Sequence, residues 1–175
     1  MHVFPVETAR LRMRALAEGD AALYTGLYGD EETMRFIGAP LSPERAASSF
    51  RSALAGMRRA PIERLFLTVV EKHSGADVGI CSLQNFDARH RSVQAGVMFV
   101  AGARALGYSK EGFVGLIQQV FAQLPVDELW VQFAAEHIAV QRAVISVGFA
   151  RRPHAATERS AWCVRRQSWT PPLRQ

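Results

Sequence analysis

The apolar positions of this chain change their period several times, and each change marks an element. In "TARLRMRA" leucine and methionine alternate with arginine, which predicts a first strand with one wet face. Asp20 stands where it would N-cap a short helix, Ala21 to Tyr28. In "LSPERAASSFRSALAGMRR" Ser42 is an N-cap candidate and Pro43 suits the first helical position. Ala47, Phe50, Leu54 and Met57 then fall on one helical face. Three strand candidates follow, at 64–71, 77–84 and 92–100, separated by the turn-like "KHSGA" and "NFDARHR". Such short turns predict antiparallel neighbours. In "YSKEGFVGLIQQVFAQL" Phe113, Leu116, Ile117, Val120, Phe121 and Leu124 recur at three- and four-residue steps, a helix that ends before Pro125. "ELWVQFA" (128–134) reads as an apolar strand. "HIAVQRAVISVGF" puts Val140, Ala143, Val144 and Val147 on one face, with Gly148 as C-terminal cap. "SAWCVRRQ" reads as a closing strand, with one further short strand expected just after Gly148. The order βααβββαβαβ describes a mixed α/β (α+β) domain over residues 1–175, without repeat or linker.

Composition narrows the class. A chain that is 49% apolar and 21% charged is ordinary for a soluble globular protein. No apolar run approaches the ~20 residues of a membrane span, and the N-terminus does not read as a signal peptide. Cys81 and Cys163 lie in strand-like contexts, which suggests buried free thiols in a reducing cytoplasm. The formal charge of +5 mildly favours anionic partners. Its arginines pair up in "ARR" (150–152) and "VRR" (164–166) near the C-terminus, too sparse a pattern for an ordinary nucleic-acid binder. A phosphorylated small molecule or an RNA-borne substrate is compatible with it. His2, His73 and His154 show no metal-ligand spacing, so no metal is expected.

The segment "VMFVAGARALGYSKEG" runs from strand to helix through a loop with two glycines. A helix N-terminus presents unpaired N–H groups and the positive end of the dipole, so an anion there meets several donors. Gly107 has no Cβ to obstruct a phosphate. Arg104 and Lys110 can add charge. Taken alone, the loop reads first as a plain connection; it has neither the Gly-Lys-Ser/Thr of a Walker loop nor a dinucleotide glycine spacing.

Four ordered motifs carry a resemblance. "ETARLRMRALAEGDAALY" is similar to an opening T-x-R-L-x-L-R…D. "RALGYS" (104–109) matches Gln/Arg-x-x-Gly-x-Gly/Ala, with Ser109 in the final small position, and Glu111 matches the acid that follows. "EHIAVQRAVISVGF" is similar to N-x-x-S…G-F, from His137 to Gly148 and Phe149. "RRQSW" resembles a closing strand and tryptophan. Together they resemble the GCN5-related N-acetyltransferase (GNAT) superfamily, and look closest to its RimJ/RimL-like ribosomal-protein branch, over about residues 7 to 169.

The resemblance implies a strongly twisted mixed sheet, helices on both faces, splayed open between its fourth strand (92–100) and its fifth (128–134). Acetyl-CoA would be the co-substrate, its pantetheine on the backbone of Val97, Met98, Phe99 and Val100. Its pyrophosphate would sit on Arg104, Ala105, Leu106, Gly107, Tyr108 and Ser109. A primary amine would attack the thioester directly, with the Phe99 N–H stabilising the oxyanion. Gln94 stands where the family often has an acid. His137 replaces the usual Asn, Val140 the usual Ser, and Val144 a tyrosine found in other members. His137 could replace the Asn toward pantetheine or exchange protons. Asp87 and His90 in the "NFDARHR" turn could reach the acceptor side. A Cys81 acyl-enzyme has no adjacent base in the sequence. Acceptor-lining candidates are Tyr24, Tyr28, Met34, Arg35 and Phe36. The altered proton-handling positions leave two other readings, a non-catalytic acyl-CoA sensor and an enzyme acting on an RNA-linked amine such as charged tRNA. Monomer and homodimer are both compatible, and no membrane is involved.

Overall fold

The structure, a computed structural model, describes residues 4–152 and 159–172; His2 and His154 lie outside the described residues. The strands are β1 (Val6–Glu7), β2 (Leu11–Ala15), β3 (Arg64–Glu71), β4 (Asp77–Asp87), β5 (Ser92–Phe99), β6 (Glu128–Ala134), β7 (Ala150–Arg151) and β8 (Arg159–Arg165). The helices are α1 (Ala21–Gly29), α2 (Glu31–Met34), α3 (Pro43–Met57), α4 (Tyr108–Gln123) and α5 (Ile138–Ser146). All eight strands form one sheet in the order β1-β2-β3-β4-β5-β6-β8-β7. Its neighbours are antiparallel except β5 and β6, which run parallel across the α4 crossover.

Helices cover both faces. α1 and α3 pack Tyr24, Leu27, Phe50 and Ala53 against Phe66 and Ile80. On the other face α4 and α5 bury Phe113, Leu116, Ile117, Val120 and Val144 over Leu67, Leu83, Val93 and Leu129. Six consecutive residues of β3 (65–70) are buried because the strand is covered from both sides. α5 ends as the pattern predicts: Gly148 takes φ 97°. Its N–H donates to Ile145 O and the Phe149 N–H to Val144 O, a Schellman cap.

Several elements depart from the pattern. The first strand is a hairpin, with Val6 opposite Met13 and Glu7 opposite Arg12. Two residues of β1 are too few to show a period. Asp20 does not cap α1 through its side chain. It is buried, and its carboxylate accepts from both Arg14 Nη atoms (2.8 Å), the Ala17 N–H (2.8 Å) and the Thr68 hydroxyl (2.7 Å). Burial alone would raise its pKa, but Arg14 and these donors outweigh it and hold the carboxylate below its ordinary value. The buried stripe of α3 is Ala46, Phe50, Ala53 and Gly56; Ala47, Leu54 and Met57 flank it, half-buried. α2 is an added turn, capped by Asp30, whose side chain accepts from the Thr33 N–H.

The C-terminal arginine pairs serve the fold. Arg166 donates to Phe121 O, Leu124 O and Val126 O, satisfying carbonyls at the end of α4. Arg152 and Arg165 both pair with Glu128, at 2.8 and 3.3 Å, and Arg151 lies 5.7 Å from the Trp162 ring. These are the residues that would otherwise suggest an RNA-linked acceptor.

Candidate active site

β5 and β6 pair only at their base: Ser92 with Glu128, Val93 with Leu129 and Gln94 with Trp130. Beyond Gln94 they diverge, because β6 is held along its whole length by β8 while β5 stays with β4 as far as Phe99. The Val100 N–H donates to Val78 O at 3.0 Å. Peptide groups alternate sides along a strand, so the N–H groups of Val97 and Phe99 point away from β4, toward the side that β6 has left.

The chain then passes through a 3₁₀ turn, Ala101–Ala103, into the loop before α4. Ala105 (φ 65°) and Gly107 (φ 78°) are both left-handed there, and only for glycine is that conformation free of a Cβ penalty. Gly107 is the N-cap and brings no side chain, so the N–H groups of Tyr108, Ser109 and Lys110 have no partner inside the helix. Glu111 fixes this turn from behind. Its carboxylate accepts from Thr8 Oγ1 (2.6 Å), the Arg10 N–H (2.7 Å) and Arg10 Nε (2.6 Å). Burial alone would raise the Glu111 pKa; the Thr8 and Arg10 donors outweigh it and keep the group below its ordinary value. Arg10 also donates to Leu106 O at 2.9 Å and lies 4.8 Å from the Tyr108 ring centre. Gly112 and Gly115 let the β1–β2 hairpin approach α4: a Cβ on Gly115 would lie 2.6 Å from Thr8 Cγ2, and one on Gly112 3.1 Å from Met13 Cε.

Arg104 does not stand over the loop. Its Nε donates to Phe99 O at 3.2 Å, and its other nitrogens meet Asp30 (3.3 Å), Glu32 (3.4 Å) and Thr33 Oγ1. The cation beside the loop is Arg10, a residue that the alternation of the first strand marks only as wet. Its signals in the sequence are the arginine of the opening T-x-R-L motif and the acid at Glu111, which needs a partner.

The opening between β5 and β6 is a cleft of about 210 Å³. The structure brings Tyr28, Phe36, Gln94, Val97, Met98 and His137 to its walls, together with Ser82, Gln84, Phe113, Gln132, Phe133 and Val140, which the sequence did not single out as a set. Met34 and Tyr24 do not line it: both are buried, and the Tyr24 hydroxyl bonds Ser49 Oγ at 2.9 Å. Arg35 lies outside, 5.2 Å from the Phe36 ring. Gln94 accepts from Asn85 Nδ2 at 2.6 Å. His137 stacks on Phe36 with centroids 4.3 Å apart and meets the Phe133 ring edge-on at 6.5 Å. Burial among these rings lowers its pKa, so the imidazole is neutral at pH 7. Burial, and after it Tyr24, raises the Tyr28 pKa, so its phenol is neutral too. Val144, on the inner face of α5, is fully buried. Burial pushes the Cys81 thiol up to about 12, which removes it as a nucleophile. Asp87 and His90 pair with each other at 2.6 Å on an exposed turn and do not line this cleft. Among the described residues no three His, Cys, Asp or Glu side chains are grouped to hold a metal ion, and no helix is long and apolar enough to cross a membrane.

A sheet that forks between two parallel strands, with a glycine-capped helix at the fork, is matched by a family model for the acetyltransferase (GNAT) domain over residues 10–150. The chain belongs to the GNAT acetyltransferase family. It is accordingly an acetyl-CoA-dependent acyltransferase. No curated protein matches it. Solved GNAT-fold structures do. A spermidine N-acetyltransferase from Vibrio cholerae, in complex with CoA and spermine, is 15% identical, with TM-score 0.79 over 91% of this chain and 97% of that one. A RimL ribosomal-protein alpha-N-acetyltransferase in complex with CoA is 11% identical, with TM-score 0.78 over 94% and 98%. A GCN5-related N-acetyltransferase from Brucella melitensis is 16% identical, with TM-score 0.74 over 97% and 81%. At these identities the likeness establishes the shared GNAT fold.

Proposed function

We propose that this acetyltransferase, a RimJ/RimL-like member of its family, transfers the acetyl group of acetyl-CoA to a primary amine by direct attack in a ternary complex. The observation that carries the reading is the fork of the sheet, which leaves the edge of β5 beyond Gln94 without a strand to pair with. An extended pantetheine amide fits such an edge as an added strand would, along Val97 to Val100. Arg104 to Ser109 supply the backbone for the pyrophosphate, with Arg10 rather than Arg104 as the adjacent cation. The Gly107 conformation leaves that approach open on the helix's positive end.

The Phe99 N–H stabilises the oxygen as the amine nitrogen bonds to the thioester carbon. The C–S bond breaks and the thiolate leaves. With a thiol pKa of ~8.5 it needs no strong acid, which suits the valines at 140 and 144. His137, neutral and half-buried in the cleft, takes the proton of the amine directly or through water. The spermidine and ribosomal-protein enzymes of the same fold, both solved with CoA, support acetyl-CoA as co-substrate and an amine as acceptor. Two buried free cysteines suit a cytoplasmic setting.

Calorimetry with acetyl-CoA and a thiol-release assay over amines and N-terminal peptides test this reading together. The expected result is saturable binding and thiol release that depends on the amine. Absent binding would overturn the site; binding with no release by any amine would overturn the transfer.

A further inference from the structure

Among the described residues, the walls of the cleft carry no formal charge. Among its lining residues there is no Asp, Glu, Lys or Arg; the polar ones are Ser82, Gln84, Gln94, Gln132, His137 and the Tyr28 hydroxyl. Of the carboxylates near these walls in sequence, Asp30 and Glu32 are paired with Arg104, and Glu136, beside His137, is exposed and not among the lining residues. The cation Arg35 lies beside Phe36, one of the cleft's own walls. Rings supply much of the apolar surface: Tyr28, Phe36, Phe113 and Phe133, with His137 stacked on Phe36.

Resting on the acetyl-transfer reading above, we infer that the acceptor is a primary amine carried on a neutral aromatic or apolar body, and that polyamines are selected against. The reason is desolvation. One ammonium can lie against ring faces, or lose its proton on entry. A second charged nitrogen on the same molecule would enter a cleft with no anion to meet it, and an unpaired buried charge is strongly disfavoured. Size agrees: a lined cavity of ~150 Å³ accepts a benzene ring, and the cleft, at about 210 Å³, is large enough for one. The shared fold of the spermidine enzyme does not bear on this, because the walls are side chains.

The test compares kcat/KM by thiol release for phenethylamine, for a short peptide with N-terminal phenylalanine, and for spermidine. The better aromatic substrate, amine or peptide, is expected to exceed spermidine at least tenfold, and whichever of the two is faster identifies the source of the ring. Equal or faster turnover of spermidine would overturn the inference while leaving acetyl transfer intact. Acetyl-CoA binding with no release by any amine would instead sink the transfer reading, and this one with it. Gln94→Glu keeps an acceptor for Asn85 Nδ2 and adds the missing anion. It is expected to raise the spermidine-to-phenethylamine ratio about tenfold. An unchanged ratio, in a variant that still binds acetyl-CoA by calorimetry, would mean that the charge of the cleft does not set its selectivity.

Discussion

The loop entering α4 and the cleft beside it lie at the same fork in the sheet, yet they are built by different means. The loop is backbone held by charge: two left-handed residues, an uncapped helix start, and Glu111 fixed by three donors from the Thr8–Arg10 turn. The cleft is neutral side chains held by packing, with His137 stacked on Phe36 and Gln94 tied to Asn85. A loop that presents N–H groups depends on geometry and tolerates a change of side chain wherever that geometry survives. A cleft that discriminates by desolvation depends on which side chains face it. Damage to the two should therefore separate: one in cofactor affinity and fold stability, the other in turnover.

The sharpest break in that separation lies at His137. His137→Gln removes the proton acceptor but keeps a polar side chain, and kcat/KM should fall about 100-fold with acetyl-CoA affinity by calorimetry unchanged. The pH profile checks the cause. Burial lowers the His137 pKa below 6.5, and only the neutral form accepts a proton. Wild-type kcat/KM should therefore fall as pH drops through that lowered value. The limb should vanish in the variant, while the amine's own deprotonation at higher pH persists. A comparable loss of acetyl-CoA affinity would erase the contrast.

Next in size is Glu111→Ala. It leaves the half-buried Thr8 hydroxyl without its carboxylate and the exposed Arg10 without its ion pair, and the expected destabilisation is roughly 1–2 kcal/mol, read by denaturant titration, with weaker acetyl-CoA binding. Full stability would mean that the hairpin holds itself. The smallest effect is expected for Arg104→Ala. Its ion pairs with Asp30 and Glu32 are partly exposed, so stability should change by about 1 kcal/mol or less. What it ties down is α2, ahead of Phe36, so the KM for the amine should rise a few-fold while acetyl-CoA affinity holds. A large loss of acetyl-CoA affinity would restore Arg104 to the pyrophosphate side.

Much of the architecture is legible in the chain. Helices α3, α4 and α5 and strands β3 to β6 declare themselves by period, since each buries one face or both. The caps at Ser42 and Gly148 are local chemistry and fall where the residues put them. β1 and α2 have two and four residues, too few for a period to register. Gly112 and Gly115 illustrate a different limit. Within the helix they read only as weak formers, and their use appears with Met13, Val6 and Thr8, residues about a hundred positions away.

The same boundary divides the site. The sequence by itself determined the loop: a glycine free to be left-handed, an amphipathic helix behind it, and a resemblance that named its fold. Those features are local, and local physics writes them into neighbouring residues. Only the tertiary structure decided which cation stands beside that loop, that Asp20 is a buried carboxylate rather than a helix cap, that Met34 faces the core while Phe36 faces the cleft, and that the described walls of this cleft carry no charge. Each of these depends on which distant side chains meet. That is fixed by the register of the strands and by the divergence of β5 from β6 beyond Gln94, not by any spacing along the chain.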